Sequence, residues 1–220
     1  MAFNKTQLEN DLKKVFSNML DKKDKVTDDD FADGISKACK DFGESGSITT
    51  VDTGAVSGGA MTFVGKGSGS LSLNDTLMST PIKTCCTTMQ KLTEGGDSLL
   101  ATAIGTGILA MTTAATVETD VSGTATNPTT GATTTMSGKA KGKIVCVNAS
   151  LIQSLNSCFT NMYNKKFDKS YKDEYNPNFD GDAYFAKEMA SAVHTYFTSG
   201  SITTSGTGTL LGTVGTGSIS

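Results

Sequence analysis

The sequence predicts an α+β fold made of three tandem modules, each a helix, a second helix and a β-hairpin. Two observations carry that prediction. The first is self-similarity with a period of about a third of the 220 residues, the mark of a repeated unit. The second is that, within each unit, apolar residues first recur at helical spacing and then give way to Thr- and Gly-rich runs that read as strands and turns. The clearest recurrence lays Phe31 to Thr50 over Phe185 to Thr204 at an offset of 154, ending in the identical runs Ser45-Gly46-Ser47-Ile48-Thr49-Thr50 and Ser199-Gly200-Ser201-Ile202-Thr203-Thr204. The middle unit follows by apolar phase: Leu100, Ile104, Gly107, Ile108 and Met111 answer to Phe31, Ile35, Ala38, Cys39 and Phe42 at an offset of 69. The same offset carries Ile48 and Thr50 onto Val117 and Thr119. These matches divide the chain into modules at 1–73, 74–147 and 148–220.

Each element has its own local signal. The leading helix of the first module shows Asn4 or Thr6 as a cap, Glu9 three residues after Thr6, and a stripe of Leu8, Leu12, Val15, Phe16 and Met19. The equivalent stripes are Met78, Ile82, Cys85, Cys86 and Met89, then Leu151, Leu155, Cys158, Phe159 and Met162. The second helix begins at Thr27-Asp28-Asp29-Asp30, whose carboxylates suit the positive end of a helix dipole, and ends at Gly43 or Gly46. In the third module Asp182 precedes Tyr184, and Phe185, Met189, Ala192, Val193 and Tyr196 face inward. The hairpins span Ser45–Leu73, Val117–Val147 and Ser199–Ser220, where Ile48, Val51, Val64, Leu71 and Leu73 keep an apolar residue recurring among Thr, Ser and Gly. Their closing runs align as Gly69-Ser70-Leu71-Ser72, Gly142-Lys143-Ile144-Val145 and Gly217-Ser218-Ile219-Ser220. The tips, Ala55–Ala60 and Thr124–Thr135, are expected to be exposed. Three hairpins can either sit around a pseudo-three-fold axis or join edge to edge in one sheet.

Composition removes whole classes of function. A module of about 73 residues sits where a lone core is marginal, so mutual burial between modules is expected. Every basic residue is Lys, which removes the bidentate Arg used to read phosphates and base edges. No direct nucleic-acid contact is expected. Cys39, Cys85, Cys86, Cys146 and Cys158 fall at apolar positions without Cys-x-x-Cys spacing and read as buried thiols. Met1-Ala2-Phe3-Asn4-Lys5 lacks the features of a signal peptide, and Leu99–Ala115 is too short and too rich in Thr and Gly to span a bilayer. A soluble protein without membrane contact is expected.

No constellation for catalysis emerges. The single His, His194, lies between Val193 and Tyr196 with no nucleophile to serve. Gly65-Lys66-Gly67-Ser68-Gly69 and Gly212–Gly217 resemble phosphate loops but do not open a helix. Asn176, Asn178, Asp180 and Gly181 fit the early places of an EF-hand loop, yet Lys187 stands at the twelfth, where calcium needs a bidentate Glu. Asp173, Glu174, Asp180 and Asp182 read as solvated charge. The chain is therefore expected to be no enzyme and to use no cofactor or metal.

The string from Phe185-Ala186 through Met189-Ala190 and Ala192-Val193 to Ser199-Gly200-Ser201-Ile202-Thr203-Thr204, closing in Gly215-Thr216-Gly217-Ser218-Ile219-Ser220, resembles small virion-associated proteins encoded among the head and tail genes of tailed bacteriophages. Val117-Glu118-Thr119-Asp120-Val121 departs from that pattern in the middle module. The resemblance implies a structural protein of the virion, assembled in the host bacterial cytoplasm, which docks on capsid, neck or tail proteins as a decorating or stabilising subunit. Repeated surface suits a homo-oligomer or another symmetric assembly. Ile48, Thr50, Ile202, Thr204, Gly217 and Ile219 are expected at the docking interface. The alternative is a glycan- or cell-surface-binding module of a virion fibre, since Thr/Ser/Gly hairpins can present hydroxyls to sugars. Against it, Phe63 is the only aromatic residue in the hairpins.

Overall fold

The helices form where apolar residues recur at helical spacing, and α1, α2 and α6 also carry side-chain caps at their starts. In the computed structural model, which describes residues 3–21, 26–56, 59–92, 94–146, 150–166 and 179–220, α1 runs Lys5–Asp21. Asn4 caps it, its Oδ1 accepting from the Gln7 backbone N–H at 3.0 Å. Helix α2 (Asp28–Ser45) has a full capping box: the Asp30 N–H donates to Thr27, and the Asp30 carboxylate accepts from the Thr27 N–H. Gly46 ends it. Strands β1 (Ile48–Val56) and β2 (Met61–Ser72) follow. Then come α3 (Thr76–Met89), α4 (Gly96–Thr113), β3 (Thr116–Thr126) and β4 (Thr133–Val145). Helices α5 (Leu151–Lys166) and α6 (Gly181–Thr198) lead to β5 (Ser201–Gly206) and β6 (Thr213–Ile219). Asp180, not Asp182, caps α6, accepting from the Ala183 N–H at 2.9 Å. The rest of the EF-hand-like stretch, Asn176 and Asn178, lies outside the described residues, as do Asp173 and Glu174.

The six strands form one closed antiparallel barrel in chain order, β6 pairing back onto β1. The hairpins thus join edge to edge, and the sheet has no open border. Following backbone partners from Asp52 through Gly215, Thr204, Gly142 and Val117 to Leu71, and continuing the β1–β2 register by two steps, leads to position 46, six residues before the start. Eight strands give a barrel whose interior side chains just fill it. Six strands enclose less, and small inward residues follow from that.

The helices also close on themselves. Each packs on its sequence neighbours, and α6 returns to α1. Their buried stripes and the near ends of the strands share one apolar core that includes Leu12, Ile35, Ile82, Ile108, Leu155 and Val193. Aromatic rings knit α1, α5 and α6, with Phe185 at 4.8 Å from Phe16 and 4.6 Å from Phe159 between centroids. Small residues set the helix spacing: a Cβ on Gly107 of α4 would lie 3.0 Å from Met78 of α3.

The far end of the barrel carries a second apolar cluster of Val56, Phe63, Val121, Ala125, Ala140 and Leu210. This corrects the expected tips. Strands β3 and β4 extend to Thr126 and from Thr133, so only Asn127–Ala132 forms the turn, and Val56 within the expected first tip is buried. Strand phase corrects a second reading. Val51 lies an odd number of residues from Ile48, so it and Val64 point outward and do not continue the inward row.

Candidate functional site

The barrel lumen is built in layers, each set by which residues face one another across the strand junctions. Nearest the helices stand three apolar pairs, Ile48 opposite Ile219, Leu71 opposite Val117, and Ile144 opposite Ile202. One step further in, the three same junctions each pair a Thr with a Gly: Thr50 with Gly217, Thr119 with Gly69, and Thr204 with Gly142. A Cβ on Gly217, Gly69 or Gly142 would run into the carbonyl oxygen of Thr49, Glu118 or Thr203 respectively. Close approach of the facing strand is therefore what requires glycine at these places.

The next layer holds Asp52, which is 0% exposed. Thr50 Oγ1 donates to its Oδ2 at 2.6 Å, and Thr204 Oγ1 donates to its Oδ1 at 3.3 Å. Gly215 faces Asp52 on β6, and Gly67 faces Thr50 on β2. A Cβ on Gly67 would collide with Thr50 Oγ1 and approach Asp52 Oδ2 to 3.0 Å, and one on Gly215 would collide with Oδ1. The carboxylate fits because both neighbours lack side chains. Thr119 Oγ1 is buried and has no hydrogen-bond partner. Apolar layers close this polar belt at both ends.

The six residues expected to dock on a partner occupy these layers. Ile48, Thr50, Ile202, Thr204 and Ile219 are buried inside the barrel, and Gly217 faces the same lumen. The repeated Ser-Gly-Ser-Ile-Thr-Thr run thus forms wall and lumen, and only its alternate residues face outward. On the outer wall of β2, β1 and β6, Val64, Val51 and Val214 are 57%, 53% and 49% exposed, with Lys66 facing Val51 across the β1–β2 pairing. Thr53 faces both Val64 and Val214, so the three valines form one patch. Beside it an open groove of about 630 Å³ is lined by Thr49, Val51, Lys66, Asp120, Thr216 and Ser218, among others. The β3–β4 wall is charged instead, with Lys141 and Glu118 at 2.7 Å and Lys139 and Asp120 at 3.8 Å. Hydrogen bonding from Lys141 lowers the Glu118 pKa and raises that of Lys141 itself.

Other candidates stay apart from the barrel. His194 sits on α6 with its ring 6.2 Å from Phe3 and 6.1 Å from Phe42 between centroids. The cysteines are free thiols, and burial pushes Cys39 up to about 12. Burial likewise raises Cys86 and Cys146 to about 11 and Cys158 to about 12. Phe63 is fully buried inside the barrel, so it offers no platform to a sugar ring. Among the described residues there is no group of three or more His, Cys, Asp or Glu suited to a metal ion, and no helix is long and apolar enough to cross a membrane. In comparisons with protein-family models, curated proteins and solved structures, nothing matches the chain.

Asp52 is the residue that sequence reasoning missed. Its signal was present: strand phase puts it on the face of Ile48 and Thr50. At the sequence offset of 154 Gly206 stands in its place, so the recurrence does not flag a carboxylate there.

Proposed function

We propose that this chain is a non-enzymatic structural protein of a tailed-bacteriophage virion, a decorating or stabilising subunit that docks on capsid, neck or tail proteins. The observation that carries this reading is the Gly–Thr pair found at all three junctions between hairpins. With the order helix, helix, strand, strand occurring three times, it supports three equivalent modules, 1–73, 74–147 and 148–220, arranged about a pseudo-three-fold axis. One chain then acts as a built-in trimer, a shape suited to a three-fold or quasi-three-fold position in a shell, collar or tail. The resemblance of the Phe185–Ser220 region to virion-associated phage proteins supplies the context.

Docking falls to outward side chains. The valine patch of Val51, Val64 and Val214 with its adjoining groove is an apolar stretch of the barrel wall, whereas the β3–β4 wall carries its own ion pairs. The decisive experiment is density-gradient purification of particles of the phage encoding this chain, followed by mass spectrometry. The chain is expected in the particle band at a fixed ratio to the major capsid or tail protein, and Val64→Asp is expected to remove it from that band while leaving its circular dichroism unchanged. Its absence from washed particles would sink the proposal.

A further inference from the structure

We infer that the polar belt of the barrel is a binding site for one dehydrated alkali-metal cation, Na⁺ or K⁺, held by the Asp52 carboxylate and the hydroxyls of Thr50, Thr119 and Thr204.

Two independent observations lead there. The first is the burial of the Asp52 carboxyl group away from any cationic side chain. Its side chain is 0% exposed, and its recorded hydrogen bonds come from two neutral hydroxyls, Thr50 and Thr204. Among the described residues no Lys or His forms an ion pair with it. The lysines of the strands, Lys66, Lys139, Lys141 and Lys143, all point to the outer wall. An ionised carboxylate removed from water is costly unless a positive charge accompanies it. The second observation is Thr119. Its hydroxyl is buried in the same Thr–Gly layer as Thr50 and Thr204 and is without a hydrogen-bond partner, although buried polar groups are almost always satisfied.

A cation joins the two. A threonine hydroxyl that gives its proton to a carboxylate keeps lone pairs free. Thr50 and Thr204 can therefore donate to Asp52 and still ligate, and Thr119 brings an oxygen with nothing else to bind. The donors are all oxygens, which favours a hard cation. One carboxylate balances one positive charge, so a divalent ion would leave net charge in an apolar enclosure, whereas an alkali ion leaves none. A buried water would satisfy Thr119 but leave the carboxylate charge uncompensated. Gly67 and Gly215 complete the cradle, since a side chain at Gly215 would displace the carboxylate and one at Gly67 would collide with the Thr50 hydroxyl.

The test compares thermal unfolding of the full chain in NaCl, KCl and tetramethylammonium chloride at equal ionic strength, the last cation being too large for the belt. The wild type is expected to melt about 4 °C or more higher in NaCl or KCl, rising with salt concentration as linkage requires. Asp52→Asn keeps polarity and removes the charge, and it should melt alike in all three salts. Thr119→Val breaks no hydrogen bond, so the variant folds; it should need several-fold more Na⁺ or K⁺ for half of the wild-type gain. Crystals soaked in Tl⁺ should give an anomalous peak about 3 Å from Asp52 and Thr119 oxygens. Equal melting of the wild type in all three salts, or a cation response retained in Asp52→Asn or undiminished in Thr119→Val, overturns the inference and leaves a water or a bare buried acid in the belt.

Discussion

At the residue scale, glycine does two different jobs in this chain, and substitution separates them. Gly69, Gly142 and Gly217 are required by contact, because the facing strand's carbonyl occupies the space of a side chain. Gly131 is required by conformation: its φ is +73°, in the left-handed region, while nothing lies within 4 Å of where its Cβ would be. Gly217→Ala should therefore cost about 3 kcal/mol, near the upper end for overpacking, and Gly131→Ala only about 1 kcal/mol. Urea titration of both variants checks the difference. The thiols give a second prediction. Burial moves Cys39 from 9.0 to about 12, so between those values an unfolded chain loses this proton and the folded chain keeps it. The thiol leaves stability unchanged below pH 9 and lowers it as pH rises toward 12. Native protein at pH 8 should accordingly resist a thiol-directed reagent at Cys39, with labelling there appearing only in denaturant. Rapid native labelling of Cys39 would contradict its burial.

At the element scale, the helices were legible because each carries an apolar stripe, and α2 adds both a start and a stop signal. Phe31, Ile35, Cys39 and Phe42 predicted the buried face of α2, and Thr27 with Asp30 predicted its start. Thr27→Ala should cost about 1 kcal/mol in thermal or urea unfolding, since it removes the hydroxyl that accepts from the Asp30 N–H while leaving the backbone N–H at position 27 to donate to the Asp30 carboxylate. Strands were harder. The alternation of Ile48, Thr50 and Asp52 was readable, but Thr and Gly give weak contrast between faces, so outward Val51 and Val64 were counted with the inward row. The junctions between hairpins were not legible at all. No turn residue marks the pairing of β6 with β1, which joins residues far apart in sequence, so the sequence allows edge-to-edge joining of the hairpins but gives no sign that the sheet closes on itself. Closure also changes the meaning of a deletion. Removing Gly215–Ser220 takes away most of β6 and leaves β1 and β5 each lacking a partner. The truncated chain is expected to aggregate and to lose its cooperative melt, measured by size-exclusion chromatography and differential scanning calorimetry.

At the scale of the whole molecule, the shared core matters more than any single module. Residues from all the helices and from the near ends of all the strands form one apolar cluster, and no unit of about 73 residues retains that burial alone. Residues 148–220 expressed separately should be unfolded as a monomer. If the three modules are equivalent, this fragment gains helical circular dichroism only as it self-associates at higher concentration, a transition that light scattering would place at three chains. The sequence disclosed this interdependence through composition, because Phe and small aliphatic residues without Trp cannot fill three separate cores. It did not disclose the belt of hydroxyls and one carboxylate inside the barrel, since the recurring pattern carries no carboxylate at the matching positions Val121 and Gly206.

The return of β6 to β1 bears finally on motion. In an open sheet the outermost strand frays first and its amides exchange fastest with solvent deuterium. Here every strand is flanked on both sides, so amide protons of β1 and β6 should exchange as slowly as those of β2 and β3, all of them through concerted opening of the whole cylinder.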